Sequence, residues 1–141
     1  MTFFVDANVV VYTGGVGPYG DACRALLDAV TAGEAEGVTS TAVLEEVWHI
    51  ELSAKAGDIS GLTQEAYTML TPLLPVTDET VAFALSLDAD ALGANDRIHV
   101  ATCLQNGIDT IVTADAGFDG VRGIRRVDPL DSRAVRRLLR A

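Results

Sequence analysis

The sequence predicts an α/β domain built around a mainly parallel sheet. Short apolar runs with high β propensity alternate along the chain with stretches of helical periodicity, which is the order typical of parallel sheets. The two best strand candidates each lead into an aspartate, Asp6 and Asp115. The length of 141 residues fits one domain, and a hydrophobic content of 49% is enough for a core. We therefore predict a single domain over residues 1–141.

Apolar runs rich in β-branched and aromatic residues mark the strands. The predicted strands span residues 2–5, 37–40, 110–113 and 123–127. Helices are expected where a capping residue precedes apolar residues at three- and four-residue spacing. They begin after Asp21, at Thr41, at Thr63, after Asp78, after Asn95 and at Ser132. The helix from Thr41 is expected to reach Ala56, residues 14–20 are expected to form a glycine-rich loop, and an arginine-rich helix is expected over residues 132–140.

The net charge of −10 is distributed unevenly along the chain. Residues 1–121 contain three basic residues against 18 acidic ones, whereas residues 122–141 contain seven arginines and two aspartates. An acidic body repels phosphate, which excludes general electrostatic binding of nucleic acid unless divalent cations or the arginine tail offset the field. No apolar run approaches the roughly 18 residues of a membrane span, and the first residues lack a basic signal-peptide start. We expect a cytoplasmic protein without a membrane partner.

Two carboxylates follow strands, and two more lie on helices. Because the carboxyl ends of parallel strands open on one edge of a sheet, Asp6 and Asp115 are expected at the same edge. Helical phase distinguishes Glu46 from Glu45, since Glu46 falls within the apolar stripe of its helix and Glu45 on a mixed flank. Asp96 falls in the first turn of its helix, where a carboxylate also favours the helix dipole.

Several carboxylates at one edge repel one another unless a cation is bound. Oxygen ligands without a cysteine–histidine cluster favour Mg²⁺ or Mn²⁺ over zinc. Such an ion neutralises the pocket and recruits phosphate, so metal-assisted phosphodiester hydrolysis is the reaction class that this chemistry serves.

Four segments, in this order and at this spacing, resemble the successive acidic motifs of the PIN-domain family. They are Phe4–Val9, Thr39–Val47, Asn95–Thr102 and Ile111–Asp119. The segment Gly123–Pro129 resembles the closing strand of that family, and at this size the chain most resembles the VapC-type toxins. The resemblance implies a three-layer α/β/α fold and an Mg²⁺- or Mn²⁺-dependent endoribonuclease, the toxin of a toxin–antitoxin module. It also implies an RNA substrate, a cognate antitoxin protein and a homodimer.

The resemblance assigns roles by position. The metal-binding and catalytic acids would be Asp6, Glu46, Asp96 and Asp115. Supporting groups that orient them would be Asn8, Thr113 and, as an additional acid, Asp119. His99 invites assignment as a general base, but we expect it to hydrogen-bond locally, one turn from Asp96.

Three alternatives stay open at this point. The chain could be a PIN-like RNA-binding or scaffold protein without turnover. Residues 15–20 fit the pattern GxGxxG, which would suit a dinucleotide-binding oxidoreductase, although Pro18 and Asp21 disfavour a pyrophosphate there. The arginines of the last helix, Arg133, Arg137 and Arg140, would either lie on a solvated helix or contact RNA or an acidic partner.

Overall fold

Four parallel strands form the single sheet of the computed structural model, which describes residues 1–140. The strands are β1 (Thr2–Val5), β2 (Glu36–Val38), β3 (Thr110–Val112) and β4 (Arg125–Val127). Their order across the sheet is β2–β1–β3–β4, so β1 and β3 are central neighbours. Ala141, the last residue of the predicted domain, lies outside the described residues. The prediction of a mainly parallel sheet is confirmed.

Helices connect the strands and flank the sheet. They are α1 (Ala7–Tyr12), α2 (Pro18–Thr31), α3 (Thr41–Ser53), α4 (Leu62–Leu70), α5 (Asp78–Leu85), α6 (Ala94–Gln105) and α7 (Ser132–Arg136). A short 3₁₀ turn, Ala116–Phe118, follows β3. Within residues 1–140, none of these helices has both the length and the apolar character needed to cross a bilayer.

The central strands are buried on both faces, as parallel strands between helical layers are. Phe3, Phe4 and Val5 of β1 have no exposed surface, and all three residues of β3 are buried. Phe4 packs against His99 of α6, with 5.7 Å between the ring centroids. This contact sets α6 beside the end of β1 and so brings its first turn close to Asp6.

The apolar residues after Asp6 form a helix although three consecutive valines favour a strand. The Asp6 side chain caps this helix, because its Oδ1 accepts a hydrogen bond from the Ala7 amide at 2.7 Å. The chain therefore turns away from the sheet immediately after β1. The Asp6 carboxylate stays at the sheet edge.

The glycine-rich segment is shorter than predicted, and it joins two helices. The prediction that α2 begins after Asp21 was wrong, because Pro18 already occupies the first turn, where a missing amide hydrogen does no harm. A β-carbon on Gly20 would lie 2.5 Å from the Gly15 carbonyl oxygen, so close packing of the backbone requires glycine there. Because no strand leads into this segment, the dinucleotide-binding interpretation was also wrong.

Two helices end earlier than predicted. α3 ends at Ser53 instead of Ala56, because Ala54 adopts a left-handed conformation with φ of 55°. The predicted helix over residues 132–140 ends at Arg136, and Leu139 instead makes an antiparallel bridge to Ala35. That bridge lies at the start of β2, an edge strand whose backbone groups need partners.

Candidate active site

Four carboxylates from separate elements line one cleft at the carboxyl end of the central strands. Asp6 follows β1, Glu46 lies on α3, Asp96 lies in the first turn of α6, and Asp115 follows β3. The cleft has a volume of about 430 Å³. The structure thus brings together all four acids that the sequence analysis singled out.

Asp6 is the most buried of these acids, with 4% of its surface exposed. Its Oδ2 accepts a hydrogen bond from the Thr113 hydroxyl at 2.8 Å and one from the Asn8 amide nitrogen at 3.2 Å. Its Oδ1 accepts a hydrogen bond from the Ala7 amide. Both carboxylate oxygens are therefore held in fixed positions.

Asn8 and Thr113 tie the ends of β1 and β3 together. The Asn8 amide nitrogen donates to the Thr113 hydroxyl at 2.8 Å, and its carbonyl oxygen accepts from the Ala114 amide at 3.1 Å. The Thr113 hydroxyl also accepts from the Asp115 amide at 3.0 Å. With one donated and two accepted bonds this hydroxyl is fully used. The network places both residues beside Asp6 and the Asp115 backbone.

Asp115 itself is exposed, and its side chain has a local structural role as well as a place in the cleft. Its Oδ1 accepts a hydrogen bond from the Gly117 amide at 2.8 Å and so begins the 3₁₀ turn after β3. Its second carboxylate oxygen stays available to the cleft.

Two of the cleft acids, Asp96 and Asp6, have raised pKa values. Burial raises the pKa of Asp96 to about 6, and the negative charges of Asp6, Asp115 and Glu46 add to the effect against the opposing influence of His99. Burial also raises the pKa of Asp6. The nearby His99 and the hydrogen bonds that Asp6 accepts from Thr113 and Ala7 oppose this shift. Within residues 1–140, no arginine or lysine forms an ion pair with any of the four acids. Of the basic side chains within residues 1–140, only His99 lies within 4 Å of any of these acids.

His99 is completely buried and faces two of the acids. Its Nε2 lies 3.6 Å from Glu46 Oε1 and 3.8 Å from Asp6 Oδ1, and neither ring nitrogen has a hydrogen-bond partner among the described residues. The prediction of a local hydrogen bond was wrong, because Nε2 faces Asp6 and Glu46, which lie outside α6, and neither is within hydrogen-bond distance. Burial opposes charge on the ring, but Glu46, Asp6 and Asp96 together outweigh it and raise the pKa of His99.

These side chains fit a divalent cation. Asp6, Glu46 and His99 each offer a ligand atom, and the three atoms lie within 4.8 Å of one another. A buried ring nitrogen without a partner costs about 1–3 kcal/mol, which a bound cation would remove. The repulsion that raises the pKa of Asp96 would be relieved in the same way.

Two further residues of the cleft carry no signal in the sequence. Lys55 and Tyr12 both lie in its wall beside the acids. Lys55 reaches the cleft because the left-handed Ala54 turns the chain back after α3, and single-sequence patterns do not specify that turn. It is the cationic side chain among the residues that line the cleft.

Asp119 lies outside the cleft lining and pairs with Arg126. The guanidinium binds both carboxylate oxygens, at 2.8 and 3.2 Å, and this pair lowers the pKa of Asp119. Arg126 also donates to the Thr113 carbonyl oxygen at 3.1 Å and to Asp128 at 3.1 Å. Asp119 is thus connected to Thr113 only through the arginine.

The arginines of the C-terminal segment lie in different surroundings. Arg140 forms an ion pair with Glu36 at 3.2 Å, at the first residue of β2. This is the end of the sheet opposite to the acidic cleft, about 13 Å away along the strands. Arg133 and Arg137 are exposed.

Comparisons with known proteins agree with this architecture. The family model "PIN domain" matches residues 3–124. Ribonuclease VapC13 of Mycobacterium tuberculosis is 28% identical over 127 residues, which cover 87% of this chain and 97% of that protein.

A chain of the solved complex VapBC2 from Rickettsia felis, bound to a promoter DNA fragment, has 16% identity and a TM-score of 0.69, covering 91% of this chain and 98% of that one. A chain of FitAcB from Neisseria gonorrhoeae has 19% identity and a TM-score of 0.69, covering 92% and 99%. Because the family model extends over most of its length, this chain belongs to the PIN domain family.

Proposed function

We propose that this chain is a divalent-cation-dependent endoribonuclease and the toxin of a toxin–antitoxin module. The observation that carries the proposal is the convergence of Asp6, Glu46, Asp96 and Asp115 on one cleft without arginine or lysine partners within residues 1–140. The relatives named ribonucleases support RNA as the substrate.

The four acids would hold Mg²⁺ or Mn²⁺, the ions that carboxylate oxygens favour. A cation bound there supplies positive charge to the scissile phosphate and activates a water molecule for hydrolysis. The protein's contribution is to fix the ligands. Asn8 and Thr113 hold Asp6 in a single orientation, so that its carboxylate needs no rearrangement when the cation and RNA bind.

Lys55 and Tyr12 would bind the RNA next to the acids. Lys55 lies in the wall of the cleft, and its ammonium group would attract a backbone phosphate that the acidic body repels. The Tyr12 ring is partly exposed and is supported from behind by Tyr19, with 5.2 Å between the centroids. An aromatic ring in this position suits an unpaired base, so single-stranded RNA is the expected substrate.

A cognate antitoxin would dock on an apolar groove between α3 and α4. We define this groove by Leu44, Trp48, Tyr67 and Leu73, which surround a volume of about 630 Å³. Trp48 is 56% exposed and Tyr67 is 47% exposed, and such aromatic patches are typical of partner-binding surfaces. Because α3 also carries Glu46, a partner segment on this groove would reach the acidic cleft and place a basic side chain there.

A second apolar surface suits the homodimer that the family resemblance predicts. Phe83 and Leu85 of α5 are exposed, Leu85 by 82%. Sedimentation of the purified chain measures its oligomeric state directly. A monomer at micromolar concentration would contradict the dimer.

Cleavage assays test the catalytic proposal. Purified protein is expected to cut single-stranded RNA with Mg²⁺ or Mn²⁺, to lose activity in EDTA, and to lose it as Asp6→Asn or Asp96→Asn. The matched control is Asp90→Asn, because Asp90 is exposed and lies outside the cleft lining. Cleavage that persists in both cleft variants would point to a contaminating nuclease. Bound cation without cleavage of any RNA tested would favour the alternative of an RNA-binding or scaffold protein.

Co-expression with the neighbouring open reading frame tests the partner. We expect a small protein to co-purify with the wild-type chain and to be lost when Trp48 is replaced by alanine. The control is Leu130→Ala, which alters an exposed apolar residue outside both the groove and the α5 surface. Absence of any co-purifying protein with the wild type would contradict the partner assignment.

A further inference from the structure

We propose that His99 is a nitrogen ligand of the divalent cation, so that this chain holds its ion in a mixed nitrogen–oxygen site and not between carboxylates alone. The inference rests on the proposed function, because it takes a cation in the acidic cleft as its starting point. It concerns which atoms bind the cation and therefore which cation binds best.

The first observation is a buried polar ring without a partner. His99 has no exposed surface, and neither Nδ1 nor Nε2 forms a hydrogen bond among the described residues. Buried polar atoms in native proteins nearly always have a partner. A histidine at this place therefore requires an explanation beyond packing.

The second observation is the direction of the ring. Nε2 lies 3.6 Å from Glu46 Oε1 and 3.8 Å from Asp6 Oδ1. Both distances are too long for a hydrogen bond. Two ligand atoms that share one ion, with bonds of about 2.1 Å, lie at most about 4.2 Å apart, so both distances meet this limit.

The ring is held in this orientation by packing. Phe4 of β1 contacts it with 5.7 Å between the centroids, and α6 places it one turn after Asp96. Phe4 is itself completely buried in the central strand, so the ring has a rigid support. A ligand fixed in advance by its surroundings binds an ion without losing side-chain freedom.

A nitrogen donor changes the preference among cations. Mg²⁺ favours oxygen ligands, whereas Mn²⁺ and especially Co²⁺ bind imidazole well. The site is therefore expected to bind Mn²⁺ and Co²⁺ more tightly than Mg²⁺. Replacing His99 by glutamine should weaken Mn²⁺ binding by about 10- to 100-fold and Mg²⁺ binding by much less.

The alternative is that His99 stays protonated as a fixed positive charge between Asp6 and Glu46. A protonated ring cannot ligate an ion. The two possibilities differ in a spectroscopic observable that does not depend on cleavage activity, namely magnetic coupling between a bound Mn²⁺ ion and a histidine nitrogen.

Pulsed electron paramagnetic resonance of the Mn²⁺-loaded full chain measures this coupling. The chain contains only two histidines, so assignment is direct. We expect nitrogen modulation in the wild type, a changed modulation when histidine is labelled with nitrogen-15, and its loss in His99→Gln. His49→Gln is the matched control, because His49 is exposed on α3 and should leave the modulation unchanged.

The outcomes separate this inference from the proposed function. Bound Mn²⁺ without histidine-nitrogen modulation in the wild type would overturn the inference and leave the ribonuclease proposal standing. Failure of the wild type to bind any divalent cation would overturn both. The labelled wild type answers the question even if His99→Gln does not fold. If the glutamine variant folds, equal Mn²⁺ affinity in variant and wild type would also overturn the inference.

Discussion

Replacing Asp96 by asparagine should stabilise the cation-free protein. The pKa of Asp96 is about 6 in the folded chain, against an ordinary value of 3.8, because of burial and the neighbouring carboxylates. Each pKa unit corresponds to about 1.4 kcal/mol, so the ionised carboxylate destabilises the fold by at most about 3 kcal/mol at neutral pH. Since Asp96 is only half-buried, solvent screening reduces this, and we expect a gain of about 1–2 kcal/mol in the free energy of unfolding.

The pH dependence of this gain identifies its cause. The folded pKa lies above the unfolded one, so Asp96 lowers the stability of the wild type as the pH rises from about 4 through about 6, and the asparagine variant lacks this contribution. The advantage of the variant should be about twice as large at pH 7.5 as at pH 5.0.

Urea denaturation in EDTA at the two pH values measures the effect. Asp90→Asn serves as the control, because Asp90 is exposed and lies outside the cleft lining. Saturating Mn²⁺ should abolish or reverse the advantage, since the wild type binds the cation more tightly. An Asp96→Asn variant that is no more stable than the wild type at pH 7.5 would refute the electrostatic reasoning.

Three further substitutions test the supporting structure. Asn8→Ala removes a hydrogen bond to Asp6 and should reduce cleavage by about 10- to 100-fold, as measured by initial rates at saturating cation. Arg126→Ala breaks the ion pairs of Arg126 with Asp119 and Asp128 and should lower Tm. Thermal scans at two salt concentrations should show a smaller decrease at high salt, because salt screens the charges. Gly20→Ala forces a β-carbon against the Gly15 carbonyl and should lower the free energy of unfolding by about 1–3 kcal/mol, measured in urea, without changing the cleavage rate at low temperature.

The acidic cleft was accessible to sequence reasoning because it follows from topology. Once a parallel sheet is predicted, residues that follow its strands must share an edge, and this places Asp6 and Asp115 together. Helical phase selects Glu46 over Glu45, and in the structure Glu46 is half-buried whereas Glu45 is exposed. These are short-range patterns with a fixed geometric meaning.

What escaped prediction depends on long-range packing. His99 was expected to hydrogen-bond locally, whereas the direction of its ring is decided by the approach of α6 to Phe4 of β1. Local propensity misleads for α1, where valines favour a strand but the cap at Asp6 selects a helix. The end of α7 likewise depends on a partner about 100 residues away, Ala35.

The bridge between Leu139 and Ala35 has a consequence for self-association. β2 is a three-residue strand at the border of the sheet, and an unprotected border of this kind can pair with the same border of another molecule. The C-terminal segment occupies the approach to it, through the Leu139 bridge and through the Arg140 amide, which donates to the Glu34 carbonyl oxygen at 2.6 Å. We therefore expect the C-terminal segment to hinder edge-to-edge pairing at the start of β2, at the end of the sheet away from the acidic cleft.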